Sequence, residues 1–517
     1  MGQQPVAGGG ATRARCLEGA IEDPRCVPVT VTVLCMVIGA FVGCTSRPVL
    51  DRSDVPDVIV ITVDTLRPDR IGAYGHAGAR TPHLDALAAR GVRFDDAFTP
   101  LPRTTPALAS MLTGLAPHRH GSREVGEAMT AGRSIARDFA AAGYRTIGIS
   151  GTPVAGPDQG LDGGFDAFEV HFEMTAPDMA ARALAMVGDT PRPVFLWVHA
   201  VDPHFPYLAP GAPYGPCAVL GRKAAADQLA RVDLFIDHEG VSTAALADCW
   251  VQYDHEVATA DAGIGVLLDG LAARGGTPWV VMSADHGEHF GEAGIFYEHG
   301  PSVHEAALRI PLLIAGPGVV PHVDGGVASL EDVAPTLLAA AGLAVPPGLD
   351  GQDLGPRLEG RAPEDDRVVV AESGSALNAR FLRALLAGRP ERRQCVHVAP
   401  WSLCSRPNKA PTLHQHLIDP KLLTDVASAH PDVVVDLQAV AEHWPGTARE
   451  RVARSTTHAL TLKPLPSGTY AATLAPEDPS LDLSSLRAGL SRLPGETTVG
   501  VDAQTEAALR ALGYIGD

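Results

Sequence analysis

Asp57-Val58-Ile59-Val60-Ile61-Thr62-Val63-Asp64 is an unbroken, largely β-branched apolar run that closes on a carboxylate. It lacks the polar alternation of a half-exposed strand, so it predicts a strand buried on both faces, as in a parallel sheet covered by helices. Asp64 then stands at the carboxyl end of that strand, where open α/β sheets collect their ligands. Similar runs recur at Arg145–Ser150, Val194–Val198, Trp279–Met282 and Ile310–Ile314. Helix-like segments separate them, the clearest being Thr81–Arg90, Ser134–Ala142, Ala176–Val187 and Tyr253–Ala273. Thr81-Pro82 supplies an N-cap followed by a proline, and Gly91 and Gly143 fall where helices stop. The alternation predicts an α/β fold, a mainly parallel sheet sandwiched by helices, with Asp64, His199 and Asp285 facing one rim.

Beyond about residue 320 the pattern weakens and becomes rich in Pro and Gly around Pro346–Arg361, with a strand candidate at Arg367–Ala371. The expected organisation is a catalytic domain over 57–364 and a smaller C-terminal α+β subdomain over 365–517. The first 44 residues differ in composition. Arg13, Arg15 and Arg25 precede the apolar stretch Val27–Val42, which leads to Gly43-Cys44. That order is the pattern of an export signal. A stretch of about 16 apolar residues is also near the minimum for an uncleaved membrane anchor. Phe41-Val42-Gly43-Cys44 looks like a bacterial lipoprotein box, with Cys44 as the lipidated residue. Residues 45–56 then read as a polar linker. The expected location is the periplasm or cell surface, attached to the membrane by the N-terminus.

Apolar residues are 45% and charged residues 20% of the 517, an ordinary globular mixture. A formal net charge of -19, without a long basic run, argues against a nucleic-acid partner. Export would put Cys217, Cys249, Cys395 and Cys404 in an oxidising compartment. Bridges are expected there, and their spacing leaves the pairing open. No CxxC or Cys/His zinc spacing occurs, so oxygen and imidazole are the metal-binding resource.

Three clusters fall on the predicted rim. They are Val63-Asp64-Thr65-Leu66-Arg67, Arg103-Thr104-Thr105-Pro106, and Ser283-Ala284-Asp285-His286-Gly287-Glu288. An Asp-His pair at a strand end suits a divalent ion, and Asp64 adds charge to balance it. A hydroxyl opening a helix gains from the positive end of the helix dipole, and beside a metal it ionises more readily into a nucleophile. His199, His289 and His304 read as hydrogen-bonding partners, and Tyr253-Asp254-His255-Glu256 with Asp261 as the solvated face of a helix. Arg67 and Arg123 read equally as contacts to an anionic substrate and as surface ion pairs.

From about Asp57 to Leu354 the chain resembles the sulfatases, phosphodiesterases and phosphonate hydrolases of the alkaline phosphatase superfamily. The landmarks occur in family order: Asp64-Thr65-Leu66-Arg67, Thr81-Pro82-His83-Leu84-Asp85, Leu112-Thr113-Gly114, His120-Gly121, Asp202-Pro203-His204-Phe205-Pro206-Tyr207, Ser283–Gly287 and Arg309-Ile310-Pro311-Leu312. Fainter echoes are Leu417-Ile418-Asp419, His430-Pro431 and the ending Leu509–Gly516. The resemblance implies an alkaline phosphatase-like fold and one divalent ion (Ca, Mg, Mn or Zn) held by Asp64, Thr104, Asp285 and His286. It also implies a small anionic ester substrate and places Thr104 as nucleophile, with His204 and His299 assisting the leaving group. A sulfatase carries at position 104 a Cys oxidised to formylglycine within CxPSR. Here the run is Thr104-Thr105-Pro106-Ala107-Leu108, and Thr65 replaces a second carboxylate. The resemblance therefore favours a phosphodiester, phosphonate or phosphomonoester over a sulfate ester. Rival expectations are a sulfuric ester hydrolase, an envelope phospho-group transferase on the same site, and a non-catalytic binding protein. A second metal, held by Asp202, His204 and His299, is a further expectation.

Overall fold

The computed structural model of the protein describes residues 55–443, apart from 173, 209–210, 212–214, 221–242, 293–294, 301, 362–366, 374–393, 406–408, 416–418 and 420–423. It also describes the backbone of three strands between 451 and 476. The opening run is strand β1, Val58–Val63, and every residue of it is buried. It is central in an 8-stranded sheet with β2 (Val92–Phe98), β3 (Arg145–Ser150), β4 (Ala167–Val170), β5 (Val194–Ala200), β6 (Trp279–Ala284), β7 (Arg309–Ala315) and β8 (His322–Ser329). The strand order is β4-β3-β5-β1-β6-β7-β2-β8. β1 lies parallel between β5 and β6, with Val63 opposite Ala200 and Ala284.

β7 runs antiparallel to both β6 and β2, so the sheet is mixed although mostly parallel. The reversal brings the first residue of β7, Arg309, to the rim where β1, β5 and β6 end. β2 and β8 were not legible as apolar runs. Arg93, Asp95 and Asp96 interrupt β2, and β8 is exposed at alternate positions near its start. The four predicted helix-like segments correspond to helices α1 (Pro82–Ala89), α4 (Ile135–Ala141), α5 (Ala176–Val187) and α6 (Thr243–Ala272), with α2 (Thr104–Thr113) and α3 (Pro117–His120) between α1 and α4. α6 starts ten residues before the predicted Tyr253. α5 and α1 pack on α6, whereas α2 meets α4 and the helix Val333–Ala340. Full burial of β1, β5 and β6 shows that both sheet faces are covered. Each Val or Ile of β1 contributes about 1.5–3 kcal/mol on burial.

A second, antiparallel sheet of four strands has the order β12-β11-β10-β9, with β9 Val369–Glu372, β10 Gln394–Val398, β11 Trp401–Ser405 and β12 Thr412–Gln415. Its own apolar cluster includes Val370, Val396, Leu403, Leu413 and, from the helix Pro431–His443, Leu437 and Val440. Disulfides join Cys395 to Cys404 across β10 and β11, and Cys217 to Cys249 at α6. The expected export signal, Cys44 and the ending Leu509–Gly516 lie outside the described residues. Among the described residues no helix is long and apolar enough to cross a membrane.

Candidate metal centre

Three strand ends and one helix start deliver the site. At the end of β1, Asp64 N–H donates to the Ala200 carbonyl at 2.8 Å. The next residue, Thr65, has φ +55°, an uncommon conformation for a β-branched residue that is retained where the surroundings enforce it. Those surroundings are specific. Thr65 N–H donates to Asp285 Oδ1 at 3.2 Å, and the Tyr253 hydroxyl from α6 donates to Thr65 O while accepting from Arg67 N–H.

Asp285 and His286 follow directly on the end of β6 at Ala284. Gly287 N–H donates to Ala307 O, and a Cβ on Gly287 would stand 2.0 Å from the Ala306 carbonyl oxygen, so only glycine lets this turn lie so close. β2 rises to the same rim and passes through residues 99–103 into α2, whose first residue is Thr104.

The four side chains predicted to meet do meet. Asp64, Asp285 and His286 each offer a donor atom within 4.8 Å of the others, and all three are buried. His286 Nε2 lies 3.3 Å from Thr104 Oγ1, 3.3 Å from Asp285 Oδ2 and 3.8 Å from Asp64 Oδ1. With its Nδ1 at 3.1 Å from Gly287 O, the ring donates there and turns an unprotonated Nε2 to the carboxylates.

The electrostatics point the same way. Burial, then the neighbouring Asp285 and Glu288 charges, push Asp64 well above the carboxylate range, and burial lifts Asp285 to about 7. Asp64 Oδ1 and Asp285 Oδ2 are buried without a hydrogen-bond partner. Orphaned carboxylate oxygens beside an unprotonated imidazole form the donor set a divalent cation takes, so the residues fit the metal. Thr65 stands where a further carboxylate was expected to be missing, and its hydroxyl is likewise buried without a partner.

A ring of histidines borders these donors. His299 stacks on His286 with centroids 4.0 Å apart, and His204 meets His299 edge-on at 5.6 Å. His299 Nδ1 lies 3.0 Å from Glu288 Oε1, which fixes its tautomer. Burial holds His299 well below its ordinary pKa, so the ring enters as neutral imidazole. His204 Nδ1–H donates to Phe205 O at 2.6 Å. His199 Nδ1 is 3.0 Å from Thr62 Oγ1, His289 Nδ1–H donates to Glu298 O, and His304 Nδ1 accepts from Ala306 N–H at a helix start.

Several expectations change. Asp202 does not join His204 and His299. Its Oδ2 accepts from Ala176 N–H at the start of α5, and among the described residues Asp64, Asp285 and His286 are the one group of three that converges. Arg67 is buried against Asp69 and Glu292, and Arg123 pairs with Glu372, so each guanidinium is engaged by protein carboxylates.

The 253–261 cluster is not a solvated face. Asp261 accepts from His83 and Leu84 N–H at the start of α1, Glu256 accepts from Leu208 N–H, and Asp254 holds Arg70. Tyr253, Glu288 and the Arg103–Glu298 pair are supports whose roles sequence reasoning missed. Glu288 and Arg103 did stand inside the motif clusters. Tyr253 reads in sequence as part of a solvated helix face, because what it grips is distant in sequence.

The Sulfatase family matches residues 56–343. Human (Homo sapiens) arylsulfatase A is 27% identical over 74% of this chain and 86% of its own length. Choline-sulfatase of Rhizobium meliloti is 26% identical over 59% of this chain and 72% of its own. Among solved structures, the phosphonate monoester hydrolase of Agrobacterium radiobacter superposes with TM-score 0.62 at 21% identity, covering 75% of this chain and 95% of that one.

Proposed function

The chain belongs to the sulfatase family of ester hydrolases, and from that premise we propose that it cleaves phosphate or phosphonate esters through a Thr104 nucleophile. The observation that carries this reading is Thr104 Oγ1 standing 3.3 Å from His286 Nε2 inside the carboxylate cluster. Formylglycine needs a Cys, and this position holds none. Asp64, Asp285, His286 and Thr104 would hold one divalent ion. Such an ion would neutralise the buried carboxylates, favour the ionised Thr104 hydroxyl and draw charge from the transferred oxygens.

Thr104 Oγ1, at the positive end of α2, attacks phosphorus in line. The bond to the departing alcohol breaks, and a phosphothreonine forms. His299 takes up the proton that Thr104 gives up and passes it to the alcohol. An anionic ester beside the ring raises its low pKa, and Glu288 steadies the imidazolium that forms. His204, against His299, borders the departing group. Water then attacks the phosphothreonine and restores Thr104.

The test is a panel of 4-nitrophenyl sulfate, 4-nitrophenyl phosphate, bis(4-nitrophenyl) phosphate and a 4-nitrophenyl phosphonate, each with Mn, Zn, Ca and Mg. Phosphorus esters should turn over faster than sulfate, and acid-quenched enzyme should carry phosphate on Thr104. Faster sulfate turnover would favour the sulfuric ester reading, and transfer of phosphate to an added alcohol the transferase reading. The N-terminal sequence supports export with anchoring at Cys44, and loss of membrane association in Cys44→Ser would test it.

A further inference from the structure

We infer that the Arg103–Glu298 ion pair is a positioning clamp that holds the Thr104 nucleophile in register with the His299 acid. It rests on the reading of Thr104 and His299 given above. Each partner immediately precedes one of these residues in the chain, so the pair ties the start of α2 to the loop that carries the acid. Arg103 Nη1 lies 3.0 Å from Glu298 Oε1, and the two side chains are 4% and 15% exposed.

The same carboxylate oxygen accepts from the N–H groups of His299 and Gly300 at 3.2 and 3.3 Å, so it shapes the turn from which His299 projects. Arg103 O in turn accepts the N–H of Ala107, within the first turn of α2. Gly300 completes the fit. A Cβ there would fall 1.8 Å from Arg103 Nε, so the guanidinium is pressed against the backbone beside the acid.

Burial alone would raise Glu298, yet Arg103, His299 and the two N–H groups hold it at about 2, which keeps the pair ionised at any working pH. Sequence places Thr104 and His299 on unrelated segments, and this pair joins those segments beside the reacting groups. A shift of about 1 Å between nucleophile and acid costs about 10²-fold in rate. Binding of the ester's charged group, in contrast, depends on the metal donors.

The experiment compares Arg103→Met, Arg103→Lys, Glu298→Gln and the Arg103→Met/Glu298→Gln double variant. It uses the phenyl counterpart of whichever 4-nitrophenyl ester of the panel the parent hydrolyses fastest, since phenolate needs its proton to leave, with rates counted per metal-loaded, folded enzyme. Arg103→Met and Glu298→Gln should each lower kcat about 10²-fold with KM within about twofold. The double variant should be no slower than either single change, because both break one clamp. Arg103→Lys, which keeps the charge, should recover part of the loss.

A raised KM at parental kcat would instead make Arg103 a substrate contact, and parental kcat in Glu298→Gln would reduce the pair to a structural one. Either result, or additive losses in the double variant, overturns the proposal. Glu298→Gln is isosteric and decides the matter if Arg103→Met does not fold. Thr104→Ala assayed alongside separates the failures. An inactive Thr104→Ala with parental clamp variants sinks the clamp alone, and an active Thr104→Ala sinks the reading beneath it.

Discussion

Two pairs of carboxylates, Glu292 with Glu298 and Asp64 with Asp285, differ in what opposes them. Glu292 and Glu298 face Arg67 and Arg103. Burial alone would raise both, yet those charges, with His289 and His299, hold each at about 2. Asp64 and Asp285 sit deeper, face each other and an unprotonated imidazole, and are pushed up. Burying a carboxylate without a counter-charge is costly. One set is neutralised from within the chain, and the other is left open to a cation. The comparison separates charge cancelled within the chain from charge left uncompensated.

That contrast can be broken most sharply at the nucleophile. Thr104→Ala should lower kcat on the order of 10⁵-fold while metal content, measured by elemental analysis, stays near parental. Parental turnover in that variant would leave the open carboxylate set without a reaction.

Asp64→Asn should cost about 10³-fold in rate and most of the bound metal, since charge stabilisation of several kcal/mol goes with it. Chelated parent enzyme should also lose thermal stability as pH rises through about 7. Asp285 is lifted from its ordinary 3.8 to about 7, so its contribution to folding is full below 3.8 and lost above the folded value. Adding metal should flatten that slope, because a cation opposes the ionised carboxylates.

His299→Ala should slow turnover about 10²-fold, less with a 4-nitrophenolate leaving group that needs little protonation. Glu292, in the self-neutralised set, should respond in stability instead. Glu292→Gln should cost about 3 kcal/mol at pH 7, from a pKa held near 2 against an ordinary 4.5. The depressed pKa makes that contribution present above 4.5 and lost as pH falls toward 2. Parent and variant melting curves should therefore converge in acid.

The fold and the donors were legible to different degrees. β1, β3, β5 and β6 announce themselves because a strand buried on both faces must be apolar at every position. β2 and β8 do not. The Arg93, Asp95 and Asp96 side chains of β2 find partners in one another and in Arg309, and no local pattern reports such pairing. Motif order located Asp64, Thr104, Asp285 and His286. The surplus of histidines drew Asp202 toward a second metal, and the 253–261 acids read as solvated, because a carboxylate reads the same whether it holds a metal, meets water or caps a helix.

By itself, the sequence determined the layered α/β character, the strand ends that carry the ligands, and the hydroxyl at position 104. These follow from local periodicity and from residue chemistry that does not depend on context. The tertiary structure decided which charges cancel. It turned Asp202 toward α5, engaged Arg67 and Arg123, paired the cysteines and left Asp64 and Asp285 uncompensated. Such outcomes depend on distances between segments hundreds of residues apart, and only the packed sheet and its loops set those distances.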